Sequence, residues 1–206
     1  KKFKTEKDKT SNLNIYSKHK LAAEKIILKY NKKNVIIRTN FFGHSLNQNK
    51  SLNQFIKNIK QRKKLYLFTD YYFTPIYSFL LIDIIEKILT KNIRGLFNVV
   101  GNDRLSKYEF AKKIAKILNI KNPNFKESKL RKGKLLAKRN NDLSLSNKKI
   151  KKILKIKIPS IDQQLRDFFK NDKNIKRQKL IQIPYGKHSI NNKDINFVKK
   201  ILTSKN

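Results

Sequence analysis

Tyr16 and Lys20 stand four residues apart in Asn14-Ile15-Tyr16-Ser17-Lys18-His19-Lys20-Leu21-Ala22-Ala23-Glu24. On an α-helix, positions i and i+4 share a face, so a helix here sets a phenol beside an ammonium. A free tyrosine has a pKa of about 10, and a neighbouring cation favours its phenolate. A phenol so placed can hand its proton to a carbonyl oxygen and be recharged afterwards. The plain alternative is that Tyr16 packs in a core and Lys20 is one solvated lysine among many. A bare Y-x-x-x-K is a short motif, and short motifs occur often by chance. His19, His44 and His188 are scattered and form no metal-ligand set.

The elements that would position this pair follow from hydrophobic spacing. Ile15, Leu21, Ala22, Ile26, Ile27 and Tyr30 recur at helical intervals and predict a helix over about residues 14–31. Val35-Ile36-Ile37 is a continuous apolar run, the pattern of a strand buried on both faces of a parallel sheet. Further helices are predicted over about 51–62, 77–90, 106–118, 147–154 and 160–169, with strands at 65–68 and 96–100. Ser106 with Glu109 three residues later forms a capping box. Residues 69–74 are predicted as a turn-rich loop and 119–137 as a basic, irregular connection. Alternating strands and helices argue an α/β fold.

The order of these motifs resembles a known family. Asn14-x-Tyr16-x-x-x-Lys20-Leu21-x-x-Glu24 is followed by Val35-Ile36-Ile37-Arg38-Thr39-Asn40-Phe41-Phe42-Gly43, then by Asp70-x-x-x-Thr74-Pro75-Ile76. Gly95-Leu96-Phe97-Asn98-Val99-Val100-Gly101, Leu105-Ser106-Lys107-Tyr108-Glu109-Phe110-Ala111 and Arg139-Asn140-x-x-Leu143-x-Leu145 come next. Over about residues 3–169 the chain resembles the C-terminal portion of extended short-chain dehydrogenases/reductases of the dTDP-4-dehydrorhamnose reductase-like, sugar-nucleotide group. The resemblance implies a Rossmann-like, NAD(P)-binding fold and reduction of a nucleotide-linked 4-keto-6-deoxy sugar in surface polysaccharide biosynthesis. It assigns proton donation to Tyr16, and to Lys20 the nicotinamide ribose and the activation of Tyr16. Thr39 and Asn40 become candidate cofactor contacts, and Asn40 and Phe41 candidate substrate contacts, since ligands in such sheets bind beyond the carboxyl ends of strands. A plain strand-to-loop exit is the alternative for these three. Arg104 and Arg139 could reach a diphosphate, or be surface arginines. The implied cofactor is NADP or NAD, the partner a nucleotide sugar, the location cytoplasmic, and the full-length parent a candidate homodimer. An epimerase or dehydratase of the same superfamily, and a non-catalytic binding subunit, are the rival readings.

Composition bounds the alternatives. The formal charge of +37 invites a nucleic-acid reading, but only eight of the 51 basic residues are arginine. Bidentate recognition of bases and phosphates favours arginine, and the lysines spread along the whole chain, so no nucleic-acid partner is expected. There is no cysteine, hence no disulfide. No apolar run reaches 18 residues, so no membrane segment is expected. The five glycines, Gly43, Gly95, Gly101, Gly133 and Gly186, never cluster, so the Gly-rich pyrophosphate turn of a dinucleotide fold is missing. With no methionine and a Lys1-Lys2-Phe3 start, the expectation is a fragment lacking its N-terminal dinucleotide-binding half, poorly stable and inactive alone. Residues 170–182 are predicted as a charged linker. Ile183-Pro184-Tyr185-Gly186 and the following amphipathic stretch, over 183–206, resemble the start of PLP-dependent nucleotide-sugar aminotransferases of the DegT type; a plain helical tail is the alternative.

Overall fold

The computed structural model describes residues 3–10, 13–30, 33–44, 51–130 and 140–175. Arg139 and the stretch 183–206 with its aminotransferase resemblance lie outside the described residues.

The elements alternate as the apolar spacing predicts. Helix α1 (Ile15–Tyr30) leads into strand β1 (Val35–Arg38), and β2 (Phe41–Phe42) follows at once. Then come α2 (Ser51–Lys60), β3 (Leu65–Phe68), β4 (Tyr72–Phe73), β5 (Ile76–Tyr77) and α3 (Ser78–Thr90). The rest is β6 (Gly95–Asn98), β7 (Leu105–Ser106), α4 (Lys107–Ile117), β8 (Phe125–Ser128), α5 (Lys148–Leu154) and α6 (Ile161–Ile175). β1 pairs in parallel with β6, Val35 opposite Gly95 and Arg38 opposite Asn98. β2 pairs in parallel with β5, β3 in parallel with β8, and β4 antiparallel with β7.

Three predictions are corrected. The stretch 119–137 is not wholly irregular: Phe125–Ser128 is a strand, held by β3 from sixty residues earlier. The turn-rich loop 69–74 contains β4, which pairs with β7. The last helix also runs past Phe169 to Ile175, into the stretch predicted as linker.

Helix ends explain much of the chain's course. Ser106 Oγ accepts from Glu109 N at 3.1 Å and Glu109 Oε2 accepts from Ser106 N at 2.6 Å, the predicted capping box. α3 and α4 end on asparagines in the left-handed region, Asn92 at φ 56° and Asn119 at φ 54°. Behind each, a backbone N–H closes back to the helix: Ile93 N to Ile88 O and Ile120 N to Ala115 O. Asparagine tolerates this conformation better than most residues, so no glycine is needed there.

Two apolar clusters form the core. One joins Phe42, Phe73, Tyr77, Phe110, Ile161 and Phe168; the other joins Ile84, Ile88, Phe97, Val99, Ile150 and Leu154. Each fully buried aliphatic or aromatic side chain contributes about 1.5–3 kcal/mol. Polar staples fix the connections between them. Gln164 Oε1 accepts from Tyr77 N at 2.8 Å, and its amide donates to Pro159 O at 2.8 Å. Asn147 donates to Val100 O and Gly101 O.

Candidate active site

Asn14 caps α1: its Oδ1 accepts from Ser17 N at 2.9 Å, and Ser17 Oγ accepts from Asn14 N at 3.1 Å. Tyr16 therefore sits in the first helical turn and Lys20 in the second. The Lys20 ammonium lies 5.7 Å from the centroid of the Tyr16 ring, so the two side chains share one side of the helix, as their spacing predicts. Tyr16 is 71% exposed, which excludes the alternative of a core tyrosine. No residue of α1 is buried; Ile15, Ile26 and Tyr30 are all exposed.

An ion pair ties α1 to the end of β1. Arg38 Nε and Nη2 donate to the two oxygens of Glu24, at 2.9 and 2.6 Å. The hydrogen bond from Arg38 to Glu24 raises the Arg38 pKa, against the opposing effect of burial. Glu24 on α1 thus meets Arg38, the last residue of β1. Tyr16 is eight residues nearer the helix N-terminus, a rise of about 12 Å along α1.

The strand ends carry unmatched polar atoms. Among the described residues, Thr39 Oγ1, one residue past β1, and Asn98 Oδ1, on the last residue of β6, are buried with no hydrogen-bond partner. Buried polar atoms are nearly always paired, and an orphan costs about 1–3 kcal/mol. Asn40 is used differently. Its Oδ1 accepts from Thr74 N and Thr74 Oγ1, each at 3.3 Å, its amide donates to Thr39 O at 3.1 Å, and its backbone carbonyl accepts from Ile76 N. Asn40 thus pins the strand exit to the Thr74-Pro75-Ile76 segment. Phe41 is 65% exposed while Phe42 is buried, as alternation along β2 requires.

Phe41 opens onto an apolar cavity of about 690 Å³, a size suited to a small-molecule ligand. Tyr66, Phe68, Phe73 and Phe110 supply rings, and His44 and Lys107 are its basic lining residues. His44 Nε2 is 3.0 Å from Tyr77 Oη, and its ring stacks on Phe168 at 4.3 Å. Arg104, a candidate for diphosphate, is instead tied to Asp142 and Ser144 and lies over the Tyr72 ring at 3.6 Å. Tyr16 and Lys20 do not line this cavity.

A family model for the RmlD substrate binding domain matches residues 1–174. The chain belongs to that family. No curated protein matches it. Among solved structures, this RmlD substrate binding domain chain is similar to the dTDP-4-dehydrorhamnose reductase from Bacillus anthracis in complex with NADP. The TM-score is 0.74 at 24% identity, over 82% of this chain and 59% of that one. A hypothetical dTDP-4-dehydrorhamnose reductase from Sulfolobus tokodaii is 30% identical, with a TM-score of 0.61 over 72% of this chain and 51% of that one. The dTDP-glucose 4,6-dehydratase from Bacillus anthracis in complex with NAD is 19% identical, with a TM-score of 0.69 over 87% and 58%. The chain spans between half and three fifths of the length of these relatives. Its α/β fold is the Rossmann-like fold of these structures, over the part of their length that it spans.

The exposed Tyr16–Lys20 pair and the Thr39 hydroxyl at the exit of β1 carry donors and acceptors of the kind a nicotinamide riboside takes. Among the described residues, Gly43, Gly95 and Gly101 are far apart in sequence and form no Gly-rich turn for a pyrophosphate. Among the described residues, no group of three His, Asp or Glu side chains is placed to hold a metal, and no helix is long and apolar enough to cross a membrane.

Sequence reasoning missed the cavity. The Tyr66 and Phe68 alternation along β3 was its one visible signal. Lys107 had none, being one lysine in a lysine-rich chain.

Proposed function

We propose that this chain works in the NAD(P)-dependent reduction of a nucleotide-linked 4-keto-6-deoxy sugar. The Tyr16 hydroxyl donates the proton to the keto oxygen. The Lys20 ammonium binds the ribose hydroxyls and offsets the charge left on the phenolate oxygen. The bound nicotinamide supplies the hydride. Thr39 presents its hydroxyl at the strand exit, Asn40 sets the course of that exit through Thr74, and Phe41 offers a ring to the sugar nucleotide at the mouth of the cavity. The same reading places the enzyme among cytoplasmic proteins and leaves a homodimer as its candidate assembly.

The observation that carries this reading is the Tyr16–Lys20 pair, exposed on one side of α1, the helix whose Glu24 is tied to Arg38 at the end of β1. The experiment is Tyr16→Phe in the native protein that carries these residues, assayed by NADPH oxidation with a dTDP-4-keto-6-deoxy sugar. Loss of a positioned proton donor lowers the rate by about 10²–10⁴-fold with nucleotide affinity retained. An unchanged rate refutes the assignment. The likeness to a dTDP-glucose 4,6-dehydratase supports a second reading, in which the sugar is dehydrated with no net consumption of NADPH. Product analysis separates the two.

A further inference from the structure

Lys107 occupies a position that costs it on three counts. It opens α4, where the helix dipole already presents partial positive charge. Its ammonium lies 3.8 Å from the Phe73 ring centroid and 5.8 Å from that of Tyr71, among the apolar walls of the cavity. Burial there pulls its pKa below the ordinary 10.5. Among the described residues no carboxylate pairs with it. The ring faces return only about 0.5–2 kcal/mol. A methionine of similar length would fill the same space without desolvating a charge. The backbone does not require the lysine either: its N–H donates to Tyr71 O, a bond any residue but proline can make. A cation kept at such a cost inside a cleft points to a ligand that needs it.

We propose that Lys107 is the anion anchor of the aromatic cavity, pairing with the phosphate of a ligand whose planar ring lies against the cavity's rings. Phe41, Tyr66 and Phe68 line the cavity with Lys107 and offer rings for stacking a flat heterocycle. The volume of about 690 Å³ accommodates a nucleoside diphosphate. A phosphate brought to an ammonium in this low-dielectric setting gains more than it would from an exposed lysine. It also supplies the counter-charge that the described residues do not. The choice of a nucleotide as ligand rests on the reductase reading; the anion-binding role of Lys107 rests on the cavity.

The test is calorimetric titration of the native protein that carries these residues with two probes, dTDP and thymidine, which differ only in the diphosphate. The wild-type chain is expected to bind dTDP at least tenfold more tightly than thymidine, with the ratio falling as salt rises. Lys107→Met is expected to bring the ratio within about threefold while keeping thymidine affinity, and Lys107→Arg to keep most of the ratio. Lys107→Met is also expected to melt no lower than wild type, because it removes a desolvated charge; a binding defect from misfolding would show as a lower melting temperature. If Lys107→Met keeps the wild-type ratio, the anchor role is overturned and the reductase reading is untouched. If the wild-type chain binds neither probe, the cavity is not a nucleotide site and the proposal fails. The role of Tyr16 is judged separately, by the reduction rate of its phenylalanine variant.

Discussion

Glu24→Gln is expected to release α1 while leaving the rest of the fold in place. The Arg38–Glu24 pair is bidentate, and its two side chains are only 19% and 20% exposed. Fully exposed pairs contribute about 0.2–1 kcal/mol, whereas removing one partner of a buried pair costs about 3–5 kcal/mol. A pair one-fifth exposed falls between, at about 2 kcal/mol, or roughly 30-fold in the local opening equilibrium. That is a large share of what holds this helix, because none of its residues is buried. Amide hydrogen exchange across residues 15–30 is the assay, with α4 as internal reference. Exchange in α1 should quicken about 30-fold and exchange in α4 should not change. The double variant Glu24→Gln, Arg38→Met should cost less than the sum of the single ones, since each single leaves a half-buried group unpaired. If α1 amides exchange within threefold of wild type in Glu24→Gln, the helix is held by something other than this pair, and the placement of Tyr16 through it is wrong.

Two further outcomes follow from the geometry. Gly101→Ala would bring a Cβ within 2.0 Å of the Pro75 carbonyl oxygen, a backbone atom with no freedom to move aside; a loss of about 3 kcal/mol or more is expected in chemical denaturation. Burial pushes the Asp142 carboxyl up, but hydrogen bonds from Arg104 and Ser144 outweigh it and hold the pKa below the ordinary 3.8. A depressed carboxyl stabilises the fold above its unfolded value and loses that stabilisation as pH falls through its folded one. The difference in melting temperature between wild type and Asp142→Asn should therefore shrink as pH drops below 3.8.

What could be foreseen from sequence was local. The Ser106–Glu109 box is three residues long and closes on itself. The Val35-Ile36-Ile37 run announces a buried strand whatever its neighbour is. The Tyr16–Lys20 spacing needs only a helix to put both groups on one side. What could not be foreseen depends on distant partners. Phe125-Lys126-Glu127-Ser128 is charged and half exposed, and is a strand only because β3 supplies the other half of its ladder. Asn92 and Asn119 stop their helices where a glycine would have been the obvious sign. Asn40 is a good ligand residue by type, yet most of its hydrogen-bonding capacity goes to Thr74 and the backbone around it. The apolar periodicity of α1 predicts its helix correctly and says nothing of what lies against that face. Lys107 acquires its character from the rings of Tyr71 and Phe73, more than thirty residues earlier in the chain.

The seating of cations on rings reaches beyond the cavity. Lys20 over Tyr16, Lys29 over Tyr30, Lys64 over Tyr66, Lys112 over Tyr108 and Lys149 over Phe97 repeat one solution at separate places. A chain with 51 basic and 14 acidic residues cannot give each ammonium a carboxylate. An aromatic face attracts a cation through its quadrupole and carries no proton to gain in acid. These pairings therefore survive acidification that would neutralise every aspartate and glutamate. A surface so rich in lysine can keep part of its order without the counter-charges it lacks.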